Sequence, residues 1–81
     1  MDKRKIRKKL IAIMVDKGYV SGDANGSEHL TNDLGLDSLD VVDFVMAIEK
    51  KFDIRFPDSD STIIGDMTVD QLLEHIEKML G

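Results

Sequence analysis

The chain has 81 residues, no cysteine and a formal net charge of −5. A chain this short makes one domain, buries only about 60% of its unfolded surface and cannot enclose a large catalytic cleft. Without cysteine it has no disulfide framework and no thiolate nucleophile or metal ligand of its own, a composition that fits a reducing cytoplasm.

Ile6, Leu10, Ile13 and Met14 recur at helical spacing and predict a first helix over residues 3–17, stopped by Gly18. Residues 1–17 carry a net +5 and residues 18–81 a net −10. The basic start has no signal-peptide apolar stretch and cleavage site, and Asp2 and Asp16 argue against a transit peptide, so it reads as a solvated helix face. The acidic body repels nucleic acid and anionic membrane and attracts basic protein surfaces. No apolar stretch approaches the roughly 20 residues of a membrane span.

A polar connection with Gly22, Gly26 and Gly35 follows over residues 18–37. Such a length without regular structure is unusual inside a compact domain, and Leu30 and Leu34 are expected to anchor it. Asp23-Ala24-Asn25-Gly26 and, later, Asp58-Ser59-Asp60 share the start of calcium loops but lack the remaining spacing, and read as turns.

Asp37 is a good N-cap and predicts a second helix over residues 38–51 with Ser38 at its first position, the hydroxyl free of capping duty. Val41, Phe44, Val45, Ile48 and Phe52 fall within one helical arc of about 100° and form its core side. Leu39, Val42 and Met46 lie on a different arc, bordered by Asp43 and Glu49 with Asp40 and Ala47 farther round. An apolar strip ringed by acids and beginning beside Ser38 suggests a docking surface. Pro57 then marks a turn into a short helical piece over residues 61–64, ended by Gly65. Thr68-Val69-Asp70-Gln71 is a capping box opening the last helix, which turns Val69, Leu72, Leu73, Ile76 and Leu80 inward. Ile54-Arg55-Phe56 alternates but is too short, before a proline, to predict a strand. His29 and His75 have no nucleophile pattern nearby and read as surface or packing residues.

The run Asp33-Leu34-Gly35-Leu36-Asp37-Ser38-Leu39, continued by Asp40-Val41-Val42-Asp43-Phe44-Val45-Met46, resembles the acyl carrier proteins. The family's Asp-Ser-Leu after a Leu-Gly step is matched residue for residue, and the resemblance covers nearly the whole chain. It implies one all-α domain over residues 1–81, with three main helices, one short one, and a long ordered loop between the first two. It implies that Ser38 receives 4′-phosphopantetheine from coenzyme A through a magnesium-dependent phosphopantetheinyl transferase. Asp37 then helps to position the metal during transfer, besides capping. The arm's thiol carries the acyl group as a thioester, and the chain itself has no catalytic residue and no resident metal.

Under the same resemblance, Leu39, Asp40, Val42, Asp43, Met46, Ala47 and Glu49 are the surface for the transferase and for acyl-handling synthases and transferases with basic patches. Val45, Ile48, Phe52, Ile64, Leu72 and Ile76 are the expected acyl-chain pocket. The expected protein is a cytoplasmic monomer serving fatty acid or related lipid or polyketide synthesis, without nucleic acid or membrane insertion. Lys50, Lys51 and Arg55 weaken the far end of the acidic face and fit a specialised carrier equally well. A carrier of aminoacyl or D-alanyl groups and an unmodified helical adaptor are the alternatives. A hydrolase using Ser38 is disfavoured, because no base or oxyanion arrangement is visible.

Overall fold

In the computed structural model, which describes residues 2–22, 24–57 and 59–81, the chain forms α1 (Lys3–Asp16), α2 (Ser38–Phe52), α3 (Asp60–Gly65) and α4 (Val69–Leu80). The expected calcium-like fragments include Asp23 and Asp58, which lie outside the described residues. Among the described residues the architecture is all-α, and no helix is long and apolar enough to cross a membrane.

Each long helix starts where a side chain takes up backbone N–H groups that have no intrahelical partner. Asp2 accepts from the N–H of Arg4 at α1. Asp37 and Asp40 form a reciprocal capping box at α2, and Thr68 with Gln71 forms another at α4. The helix ends differ slightly from expectation. Lys17 is the C-cap of α1, because the chain turns at Gly18 with φ 80°. Phe52 extends α2 by one residue, since its buried ring continues the core stripe.

At the end of α2, Asp53 takes a left-handed conformation with φ 56°. A side chain is disfavoured there and glycine is not. Asp53→Gly is therefore expected to raise stability by about 0.5–1 kcal/mol, read as a higher urea midpoint with an unchanged slope.

Ile6, Leu10 and Met14 of α1, Phe44 and Ile48 of α2, Ile64 of α3, and Val69, Leu72 and Ile76 of α4 meet in one cluster, all almost fully buried. Burying such a side chain contributes about 1.5–3 kcal/mol, so the apolar periodicity of the four segments is what selects the bundle.

The long α1–α2 connection is ordered by backbone bonds to the start of α4. Leu30 N–H donates to Met67 carbonyl (3.0 Å), Val69 N–H to Glu28 carbonyl (3.0 Å) and Asp70 N–H to Gly26 carbonyl (2.8 Å). The loop thereby satisfies α4 donors that the helix itself leaves free. Glycine suits position 26 because its φ is 103°, which L side chains rarely adopt, and a Cβ there would also displace the Asp70 carboxylate. Glu28 accepts from the N–H groups of Asn25 (2.9 Å) and Gly26 (2.7 Å), and these bonds hold its carboxyl below the usual carboxylate range. The stability this gives is present above the unfolded-state value and is lost as pH falls through the depressed folded value. Leu30 is buried as expected, and Leu34, half-buried, packs against the core as expected; Leu36 is a further, buried anchor.

Candidate functional site

Ser38 is the first residue of α2 and is exposed to solvent. Asp37 Oδ1 accepts from the N–H of Asp40 (2.8 Å), and Asp40 Oδ2 accepts from the N–H of Asp37 (3.2 Å). The box leaves the Ser38 hydroxyl without a hydrogen-bond partner among the described residues. At the N-cap itself a serine would spend its hydroxyl on the cap, but Ser38 stands one position later. Here the residue before it does that work, so the oxygen stays available for chemistry.

An open groove of about 1000 Å³ runs from Ser38 between the start of α2, the α1–α2 loop, α3 and one side of α4. Leu36, Val41, Val42, Ile63 and Met67 supply its apolar walls. Two histidines fasten the helix that borders it. His29 Nε2 bonds Asp66 Oδ1 (3.1 Å) just past the end of α3, with its Nδ1 accepting from the N–H of Asn32 (3.0 Å). His75 Nε2 bonds Asp60 Oδ2 (3.2 Å) at the start of α3, its ring stacked on Phe56 at 5.3 Å. Both are packing residues, as the sequence suggests, although their shared attachment to α3 is not visible in the sequence. Thr31 Oγ1 donates to Gly65 carbonyl (2.6 Å), and Val41 Cγ2 lies 3.3 Å from where a Gly65 Cβ would stand. Val41 of α2 thus packs close against the end of α3.

Along the outer side of α2, Leu39 is 78% exposed, Val42 43% and Met46 61%. Asp40 stands at the head of this strip and Asp43 beside it, where it pairs with Lys17. The far end turns inward: Ala47 packs against the core, and Glu49 Oε2 accepts from the N–H of Phe56 (2.7 Å). The expected face is therefore continuous from Leu39 to Met46, with Ala47 and Glu49 serving the fold as well.

Compared with known proteins, residues 8–76 match the family profile described as a phosphopantetheine attachment site. The chain is 40% identical over 79 residues to an acyl carrier protein of Chlorobium luteolum, covering 96% of this chain and 99% of that one. It is 39% identical over 77 residues to one of Amoebophilus asiaticus, with 94% of each covered. It is 38% identical over 82 residues to one of Prochlorococcus marinus, across the full length of both. The chain belongs to the acyl carrier protein family. It carries acyl groups as thioesters on 4′-phosphopantetheine.

The Ser38 end of this carrier protein suits such a group. Ser38 is exposed and its hydroxyl has no hydrogen-bond partner among the described residues, and the start of α2 presents N–H groups and a positive dipole end, which favour an anion by about 0.3–1 kcal/mol. The groove beside it has room and mixed polarity for the arm that follows. When bound, the group supplies the thiol that this cysteine-free carrier lacks.

Val45, Ile48, Phe52, Ile64, Leu72 and Ile76, the expected acyl-chain residues, all lie in the buried core of the carrier. None of them lines the open groove. Leu36 and Val41 belong to both the groove and the core, so the two regions adjoin at these side chains. The role of Val41 at this joint, like those of Leu36 and Phe56, was missed by the sequence analysis. The helical arc does mark Val41 as core, but nothing local shows that it also borders an open surface.

Proposed function

We propose that Ser38 is the attachment point of 4′-phosphopantetheine and that residues 1–81 act as one carrier domain, without a catalytic role of its own. The free Ser38 hydroxyl at a helix start capped by its neighbour carries this reading. Asp37 places a carboxylate next to that oxygen, where it helps to hold the divalent cation of the transfer reaction. Among the described residues no group of three or more His, Cys, Asp or Glu is placed to hold a metal, so the remaining ligands come from the transferase and the phosphates of coenzyme A. The cytoplasm is the compartment we assign, consistent with a cysteine-free chain.

The docking surface we assign comprises Leu39, Asp40, Val42, Asp43 and Met46, with Ala47 and Glu49 at its inner edge. Its partners are phosphopantetheinyl transferase and acyl-handling enzymes of fatty acid or related synthesis that present basic patches. Val45, Ile48, Phe52, Ile64, Leu72 and Ile76 form the interior that takes up an aliphatic cargo.

Intact mass spectrometry tests the attachment directly: protein purified from its native cell should carry the mass of phosphopantetheine, free or acylated. A population carrying neither would favour the adaptor reading. For the docking surface, Asp43→Lys is expected to slow loading by a basic transferase through association, with the deficit shrinking as salt rises. Equal loading rates for parent and variant at low salt would remove the electrostatic part of this reading.

A further inference from the structure

Lys17 lies outside the core and outside the Ser38 site, yet its Nζ sits 2.5 Å from Asp43 Oδ2. The backbone delivers it there independently of the ion pair. Its N–H bonds Ile13 carbonyl (3.0 Å), the chain turns left-handed at Gly18, and the N–H of Tyr19 returns to Met14 carbonyl (2.8 Å). The Tyr19 ring meets Phe44 edge-on at 5.4 Å, and its hydroxyl donates to Asp40 carbonyl (3.3 Å). The end of α1 is therefore fastened to the first turns of α2, and Lys17 is carried with it to the rim of the docking strip.

We propose that Lys17 is a built-in competitor at Asp43, a specificity-determining residue that sets how strongly a partner's cation is read there. This rests on the docking surface assigned above. Asp43 remains 62% exposed on its side chain, so a partner's Arg or Lys reaches it, but meets a carboxylate whose charge is already matched. An exposed ion pair exchanges partners readily, so Lys17 tunes association instead of blocking it. The hydrogen bond to Asp43 pushes the Lys17 ammonium above its ordinary value, and the competitor stays charged through neutral pH. Partners that rely on Asp43 are thus discriminated against relative to those that engage Asp40 and the apolar strip.

The test is the second-order rate of loading from coenzyme A by a basic phosphopantetheinyl transferase at low salt, for the parent, Lys17→Met, Asp43→Asn and the double variant. Lys8→Met, at an exposed position on α1, controls for net charge. Lys17→Met should load about two- to fivefold faster, and Lys8→Met should change the rate less. The gain should vanish in the Asp43→Asn background and at high salt. Lys17→Arg, which keeps the pair, should load like the parent and guards against a folding artefact. Loading by Lys17→Met at or below the parent rate, or an equal gain with Asp43→Asn present, overturns the inference. If Asp43→Lys slows loading while Lys17→Met leaves it unmoved, this inference alone fails. If loading ignores Asp43→Lys as well, the docking surface beneath it fails.

Discussion

Ser38→Ala is expected to abolish loading with 4′-phosphopantetheine while leaving folding stability within about 0.5 kcal/mol of the parent. The hydroxyl has no hydrogen-bond partner among the described residues, so its removal leaves nothing unpaired. The residue is exposed, so no cavity opens. Alanine is also the better helix former. Asp37→Ala is expected to lower stability and also to slow loading: it removes the side chain that caps the N–H of Asp40, at a cost of about 0.5–2 kcal/mol, together with the carboxylate proposed to help hold the cation of the transfer reaction. Intact mass after incubation with coenzyme A and a competent transferase, paired with urea unfolding, separates the two effects. Mass gain by the Ser38→Ala protein would place the attachment elsewhere.

Carrier protein loaded with progressively longer saturated acyl groups is expected to melt at rising temperature, then level off as the interior fills. Each sheltered methylene contributes up to about 0.8 kcal/mol. Four of them give up to roughly 3 kcal/mol, an upper limit of about 12–24 °C for a domain of this size. The observed gain must be smaller. The six residues assigned to the cargo are packed into the core, so admitting a chain means parting side chains that are already in contact. A lag at the shortest chains, before the rise, is the expected signature of that cost. Melting temperatures that stay flat across the series, with unchanged core methyl NMR signals, would place the cargo in the open groove or in solvent, and would favour a polar acyl group.

The four helices were legible because the forces that make them act within a few residues. Asp37 and Thr68 announce their helices through the oxygen that each offers to the next turn. The stripes Ile6–Leu10–Met14 and Val41–Phe44–Ile48 announce which side is buried. Ser38 stands out for the same local reason, since one residue's capping duty is read from its neighbour. The outer strip Leu39, Val42 and Met46 followed from helical geometry once α2 was placed, and it is exposed as that geometry requires.

Contacts between segments distant in the chain were not legible. Leu36 is buried more deeply than the expected anchor Leu34, which packs against the core half-exposed, because burial there depends on how the turn after Leu30 presents its residues to the bundle. The loop reads as twenty unsupported residues until Gly26, Glu28 and Leu30 meet the start of α4. Glu49 reads as a docking acid, yet the N–H of Phe56, seven positions later, lies within its reach.

Sequence alone therefore determined the all-α class, the helix starts, the buried sides and the exposed serine, since propensity, capping and 3.6-residue periodicity are properties of short segments. Tertiary structure decided the groove beside Ser38, the His29 and His75 fastenings of α3, the Val41–Gly65 joint and the Lys17–Asp43 pair. Each of these requires residues from separate segments to converge. That convergence is set by the packing of the whole core, which no local pattern encodes.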